Sequence, residues 1–299
     1  NFCFMYNSFM YNIRKDTDNR TEGGHNMLCC GRTDIGKKRT VNQDSFMCDS
    51  FSNGMQLAVV CDGMGGAAGG GIASSIACGV FLESISDFVQ SFGPRESLTH
   101  ADERLIKNAM TEAIDAANAA VFKRSGSQDD LRGMGTTLVA TLAYCHVLFT
   151  INVGDSRMYL ITNGEPMQIT HDHSYVQYLV DMGKMTQLEA RKSVNRNIIT
   201  RAVGTDNTVE ADIYVTRLGE NNITDKIENG EGPRDNQYVA LLCSDGLTNH
   251  VTPEEIANAI QDIGKIETSR ALGKVAEKLI DMANAAGGAD NITAVLMTL

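Results

Sequence analysis

Three apolar runs of this chain each end in an aspartate beside a glycine: LAVVCDG, with Asp62 and Gly63; INVGD, with Gly154 and Asp155; and LLCSDG, with Asp245 and Gly246. A fourth acid, Asp290, follows Gly287 and Gly288 and opens another apolar run. One aspartate in such a place is ordinarily a turn former or a helix cap. Four in equivalent places imply a shared purpose, because carboxylates gathered at one rim repel one another unless cations lie between them. Hard cations such as Mg2+ or Mn2+ take oxygen ligands, with water completing the shell. Two such ions about 3.5–4 Å apart can share a water, bring its pKa from about 15.7 toward about 7, and clamp the oxygens of a phosphoryl group during in-line attack. A glycine beside each acid lets a backbone carbonyl turn toward an ion and lets substrate approach. Arg39 is the candidate for holding the phosphate, since a guanidinium matches phosphate oxygens bidentately. Without the aspartates it would read as one more solvated cation of the run Lys37, Lys38, Arg39.

The elements that must position these residues are legible from periodicity. Strands are expected at 56–61, 136–144, 147–153, 157–161, 166–169, 239–243 and 291–297. Short connections and the hairpin signal Asn163-Gly164 make 136–169 an expected antiparallel meander, which argues against a parallel, doubly wound sheet. Helices are expected at 70–91, 102–123, 173–183, 186–192, 253–262 and 268–286. Thr252, Pro253 and Glu255 form a helix start: a hydroxyl cap, proline at the first turn and an acid three residues after the cap. Long amphipathic helices beside antiparallel strands imply an α+β fold of stacked sheets with helices on the outer faces. The polar, glycine-rich stretch 219–237 reads as a surface loop. Residues 1–28 are expected to be a disordered tail and 29–299 a single domain. The first 13 residues interleave aromatics with Asn and Ser and carry no leading positive charge, as neither a signal peptide nor a membrane span would.

Composition narrows the function. Twenty-six basic against 37 acidic residues leave a net charge of −11, so neither nucleic acid nor an anionic membrane surface is an expected partner. Eight cysteines without a CxxC pair, several inside apolar runs, read as buried thiols of a cytoplasmic, reducing compartment. Three decoys fail on context. GMGGAA at 63–68 fits a dinucleotide fingerprint, but Glu83 falls mid-helix, Asp62 would set a carboxylate beside the pyrophosphate, and the following strands are antiparallel. GRTDIGKK at 31–38 resembles a P-loop, yet Lys38 replaces the Mg2+-binding hydroxyl. His171 and His173 lack a third ligand at zinc spacing, and Asp172 is expected to cap the helix that follows.

Taken in order, the segments TDIG (33–36), RTVNQDS (39–45), VCDGMGG (60–66), MGTT (134–137), VGDSR (153–157), DHS (172–174), RNIITR (196–201), LCSDGLT (242–248) and GGADNIT (287–293) resemble the bacterial metal-dependent protein phosphatases, the type 2C serine/threonine phosphatase family. The resemblance implies a four-layer α-β-β-α sandwich with a binuclear Mg2+/Mn2+ site at one edge. By motif, Asp62 would bridge both ions, Gly63 would offer its carbonyl to one, and Asp245 and Asp290 would hold the other. Arg39 would receive the phosphate, Asp44 would orient metal-bound water, and Gly154 to Ser156 would support the site from behind. The segment between Asp172 and Arg201 corresponds to the family's variable flap, where substrate choice is made.

The chain departs from the family at three places. Gln43 stands where Glu is usual, and Gly71 where bacterial members commonly carry Glu. Gly133 precedes Met134 where some members supply an acid to a third ion; Asp130 is the nearby acid that could stand in for it. Met64 replaces the general-acid His of eukaryotic members, as is ordinary in bacterial ones. The expected function is hydrolysis of phosphoserine and phosphothreonine in phosphoproteins, opposite a bacterial serine/threonine kinase. Gln43 and Gly71 leave open a catalytically weak relative that acts as a phosphoprotein-binding regulatory module.

Overall fold

The computed structural model describes residues 28–219, 238–264 and 266–299; residues 1–27 of the expected tail and most of the 219–237 loop lie outside the described residues, while Leu28, expected in the tail, is buried and bonded to Thr298. Two antiparallel sheets are stacked face to face. The first holds β1 (Cys29–Asp34), β7 (Arg157–Thr162), β8 (Glu165–Gln168), β10 (Val239–Cys243) and β11 (Ile292–Thr298), in the order β1-β11-β10-β7-β8. The second holds β2 (Asp44–Ser50), β3 (Gln56–Met64), β5 (Leu138–Tyr144), β6 (Val147–Val153) and β9 (Asp212–Arg217), in the order β2-β3-β5-β6-β9, with the short β4 (Gly135–Thr136) against the end of β3. Helices α1 (Gly66–Phe92) and α2 (His100–Ser125) cover the second sheet. On the first sheet, α6 (Pro253–Gln261) and α7 (Ser269–Ala285) do the same. Three short helices remain: α3 (Tyr175–Asp181), α4 (Gln187–Lys192) and α5 (Asp245–Thr248).

Burial explains why β3 reads as an unbroken apolar run. Leu57, Val59 and Cys61 point to the α1–α2 side, where Phe81, Ile85, Ile106 and Met110 meet them. Ala58 and Val60 point the other way, onto Val139, Leu160, Leu242 and Val295 between the sheets. With both faces covered there is no solvent side to require alternation. The third layer contact packs Tyr159 and Leu241 under Leu272 and Leu279 of α7. Each such fully buried side chain stabilises the fold by about 1.5–3 kcal/mol. Residues Gly69–Phe92 are long and apolar enough to cross a membrane, but here Ala73, Ala77, Phe81 and Ile85 are buried against β3 and α2. The expected start of α6 is present: Thr252 accepts from the Glu255 N–H, and the Glu255 carboxylate bonds back to the Thr252 N–H.

The structure corrects four expectations. Strands β1, β2 and β9 are present where periodicity gave none; their side chains are only half-buried, which blurs the apolar pattern. Residues 136–169 are not one meander: β5 and β6 pair in the second sheet, β7 and β8 in the first, and the chain changes sheet at Gly154–Ser156. Asp172 does not cap α3. Ser174 does, accepting from the Gln177 N–H, while Asp172 is held by Arg157. Only Cys61, Cys78 and Cys243 of the described cysteines are buried; Cys29, Cys30, Cys48 and Cys145 are partly exposed.

Candidate metal centre

Each aspartate singled out by sequence arrives at one edge of the sandwich on a different element. Asp62 sits near the end of β3, directly opposite Asp44 on β2. Asp245 opens α5 immediately after β10, and Asp290 precedes β11, so both come from the first sheet. Asp155 lies in the crossover from β6 to β7, between the two sheets. The acids therefore converge because both sheets end at this edge. Asp44 and Asp155 are buried; Asp62, Asp245 and Asp290 are half-buried.

Backbone bonds fix these positions. The MGTT segment clamps Asp62: its N–H donates to Thr137 Oγ1 at 2.9 Å, and its carbonyl accepts from Thr136 Oγ1 and the Thr137 N–H, each at 2.9 Å. Gly63 leaves no room for a side chain, since a Cβ there would lie 2.1 Å from the Gly70 carbonyl oxygen. Asn291, which the sequence reading passed over, ties down the β1–β2 connection that carries Arg39. Its amide donates to the carbonyls of Ile35 and Val41, both at 3.0 Å, and its Oδ1 accepts from the Gln43 N–H at 2.8 Å. The signal for it was its place beside Asp290 in GGADNIT.

Electrostatics at this edge are strained by like charge. Burial pushes the Asp62 carboxyl well above its usual range, and Asp44, Asp245, Asp155 and Asp290 push it in the same direction. Burial and the charge of Asp290 also raise Asp245, while Asp62 and Asn249 act in the other direction. Asp44 is raised to about 7 by burial, although Ser244 and Thr293 donate to its Oδ2 at 2.8 and 2.6 Å. Arg39 is the cation at this edge: its Nη2 donates to Asp290 Oδ2 at 2.7 Å, and that bond, with Asp62 and Asp245 beyond it, holds the guanidinium charged. Asp155 is raised by burial and then by Asp245 and Asp172. Asp130 instead lies on an exposed 3-10 turn after α2, and Gly133 is likewise exposed.

The donor set fits divalent cations. It consists of oxygens alone, and Asp44 Oδ1 and Asp245 Oδ1 are buried without a hydrogen-bond partner. Carboxyls that push one another up in this way, as Asp245 does Asp62, are groups that a shared cation would relieve. Among the described residues, no three acid, imidazole or thiol groups already close on one point as a finished cage, as unscreened like charges should not. The Gln43 side chain is held by a neutral partner: its Nε2 donates to the Gly66 carbonyl at 3.0 Å. His171 and His173 do not form a zinc corner, for His171 Nε2 meets Asp181 while His173 Nε2 meets Asp212 and Arg201. A cleft of about 540 Å3 lined in part by Arg157, His171, Gln177, Arg191 and Glu254 includes none of the five aspartates.

A family model described as protein phosphatase 2C matches residues 30–284. The chain belongs to the protein phosphatase 2C family. The serine/threonine phosphatase stp of Listeria welshimeri is 34% identical to this phosphatase over 266 residues, covering 89% of this chain and 93% of the relative. Among solved structures, the S. agalactiae serine/threonine phosphatase superposes with a TM-score of 0.71 at 31% identity, over 91% of this chain and 99% of the other. The catalytic domain of the serine/threonine protein phosphatase PstP, described as a complex with two manganese ions, superposes with a TM-score of 0.68 at 31% identity, over 91% of this chain and 98% of that one. These neighbours share the two-sheet α+β sandwich, so the expected architecture stands.

Proposed function

We propose that Asp62, Gly63, Asp245 and Asp290 hold two divalent cations, Mn2+ or Mg2+, and that Arg39 captures the phosphate of a phosphoprotein. The chain is a metal-dependent serine/threonine protein phosphatase, a hydrolase of phosphoric monoesters. The observation that carries the residue assignment is the convergence of acids from both sheets on Asp62, with a buried Asp245 oxygen left unpartnered. Bound divalent ions would supply Lewis acidity toward the phosphoryl oxygens and acidify a water. Arg39 is half-exposed and is held through one nitrogen to Asp290, which leaves the rest of its five-donor fork for phosphate oxygens. Asp44 has one oxygen fixed by two hydroxyls and the other unpartnered, an arrangement suited to orienting a water from a rigid position. For a third ion, Asp155, whose charge acts on Asp62, fits better than the exposed Asp130.

The 173–201 flap is proposed to choose substrates: Tyr175, Tyr178, Met182, Leu188, Val194 and Ile198 are all exposed there, an apolar surface suited to the chain around a phosphoresidue. The partner enzyme in this reading is a serine/threonine kinase, the setting is cytoplasmic, and residues 29–299 act as one catalytic domain. Nothing in the site or the relatives favours a catalytically weak binding module. The test is hydrolysis of phosphoserine and phosphothreonine peptides by purified protein with Mn2+, with Mg2+ and with EDTA. Turnover with either ion and none in EDTA supports the reading; full activity of metal-stripped protein in EDTA would falsify it.

A further inference from the structure

We propose that Cys29 and Cys48 form a hydroperoxide-reactive dithiol that closes to a disulfide between the two sheets. The pair lies on β1 and β2, the edge strands of the first and second sheets, and both residues are partly exposed. Gly31 and Phe46 bring the strands together: a Cβ on Gly31 would lie 2.4 Å from Phe46 Cε2, so only glycine admits the ring. Parts of β1 and β2 accordingly come within 8 Å between Cα atoms, closer than the about 10 Å at which stacked sheets ordinarily pack. Cys29 is two residues from Gly31 and Cys48 two from Phe46, so alternation puts both thiols on the same facing surfaces. Both pack on the cluster between the sheets, and each thiol is shifted by the other. Cys30, one residue on, faces the other way, where its sulfur lies against Gly273 of α7.

The two thiols are unequal. Cys29 and the Arg32 charge, opposed by burial and Asp49, bring the Cys48 thiol below its usual range, whereas burial raises that of Cys29. Cys48 is therefore the nucleophile and Cys29 the resolving thiol. The Cys48 thiolate attacks one peroxide oxygen, the O–O bond breaks, and the departing hydroxide takes a proton to become water, leaving a sulfenic acid. Cys29 sulfur then attacks Cys48 sulfur; the S–S bond forms, the S–O bond breaks, and a second water leaves with the Cys29 proton. The two thiols give up two electrons and the peroxide accepts them. Cys61 and Cys78 are also in thiol contact but are 0% and 2% exposed, beyond the reach of an aqueous oxidant. Closure ties together both ends of the segment that carries Arg39 and Asp44, restricting the unfolded chain.

The test treats the purified full chain with a few equivalents of hydrogen peroxide in EDTA, blocks remaining thiols with N-ethylmaleimide, and maps unreduced peptides by mass. The expected result is a Cys29–Cys48 peptide lighter by two hydrogens as the main product, formed at least tenfold faster than any oxidation of Cys61, Cys78 or Cys243. Oxidised protein should melt several degrees higher, and dithiothreitol should reverse the shift. Cys48→Ser should abolish both link and shift, and in Cys29→Ser a dimedone adduct should accumulate on Cys48. Full maleimide labelling of Cys48 after peroxide, a main bridge from Cys3, Cys30 or Cys145, or a persisting shift in Cys48→Ser would overturn the proposal. The wild-type peptide map decides even if a variant fails to fold.

Discussion

At the scale of single residues, the acids separate into groups that can be tested one by one. Asp245→Asn and Asp290→Asn each remove an anionic oxygen donor and should lower kcat by at least about 100-fold, the upper end of what loss of a mere outer-shell partner costs. Assays at saturating Mn2+ decide the matter, and near wild-type turnover in both would place the site elsewhere. Arg39→Ala should act mainly on KM if its contact to phosphate is equally strong in ground and transition states. Gln43 is a sharper case. Its amide donates to the Gly66 carbonyl, a bond that a carboxylate cannot make. Gln43→Glu therefore sets an uncompensated charge beside the acids, and only a cation can offset it. Side-by-side Mn2+ titrations should show a lower half-saturating concentration in Gln43→Glu with a smaller change in kcat; coincident curves would mean that residue 43 does not sense the metal. Gly71→Glu fits sterically, since a Cβ there has no neighbour nearer than 3.8 Å.

At the scale of elements, the flap is joined to the core through His173, whose Nδ1 accepts from the Gly154 N–H at 3.1 Å and whose Nε2 faces Asp212 and Arg201. Burial, helped by Arg201 and opposed by Asp212, holds this imidazole below its usual range. The folded protein thus resists a proton that the unfolded chain accepts near pH 6.5, so His173 removes stability as the pH falls through that value. Melting curves of wild type and His173→Gln at pH 7.5 and 5.5 should show a smaller loss of Tm in the variant, a comparison in which the other titrating groups cancel. A helix core position behaves differently: Phe81 of α1 is fully buried, and Phe81→Ala should cost about 3–5 kcal/mol in denaturant unfolding at any of these pH values.

At the scale of the whole molecule, two sheets meet at an edge where their carboxylates oppose one another, so a divalent cation is also a stabiliser of the sandwich. Mn2+ at about 100 times its dissociation constant should add about 2.7 kcal/mol to stability. The readout is a Tm that rises with Mn2+ and returns to the apo value with EDTA, measured without substrate. An unchanged Tm across the titration would show that the acids bind no ion. The rise should be much reduced in Asp245→Asn, which ties the thermal effect to the same oxygens as the turnover.

The chain's own order of residues determined the strand-end aspartates, the apolar runs of the buried strands, the cap of α6 and the turn at Asn163-Gly164, where both residues take positive φ. These are local properties, written in spacings that a strand or helix reads directly. Strands β1, β2 and β9 escaped because half-buried edges carry little apolar signal, and the change of sheet at Gly154–Ser156 escaped because a hairpin and a crossover use the same turn residues. Only the tertiary structure decided that Asp44 stands opposite Asp62, that Asp245 acts on the buried Asp155, that Asp172 pairs with Arg157 instead of capping a helix, and that Cys29 and Cys48 pack on one cluster between the sheets. Each of these pairs depends on strand register or on how two twisted sheets stack, a geometry that no stretch of sequence encodes alone.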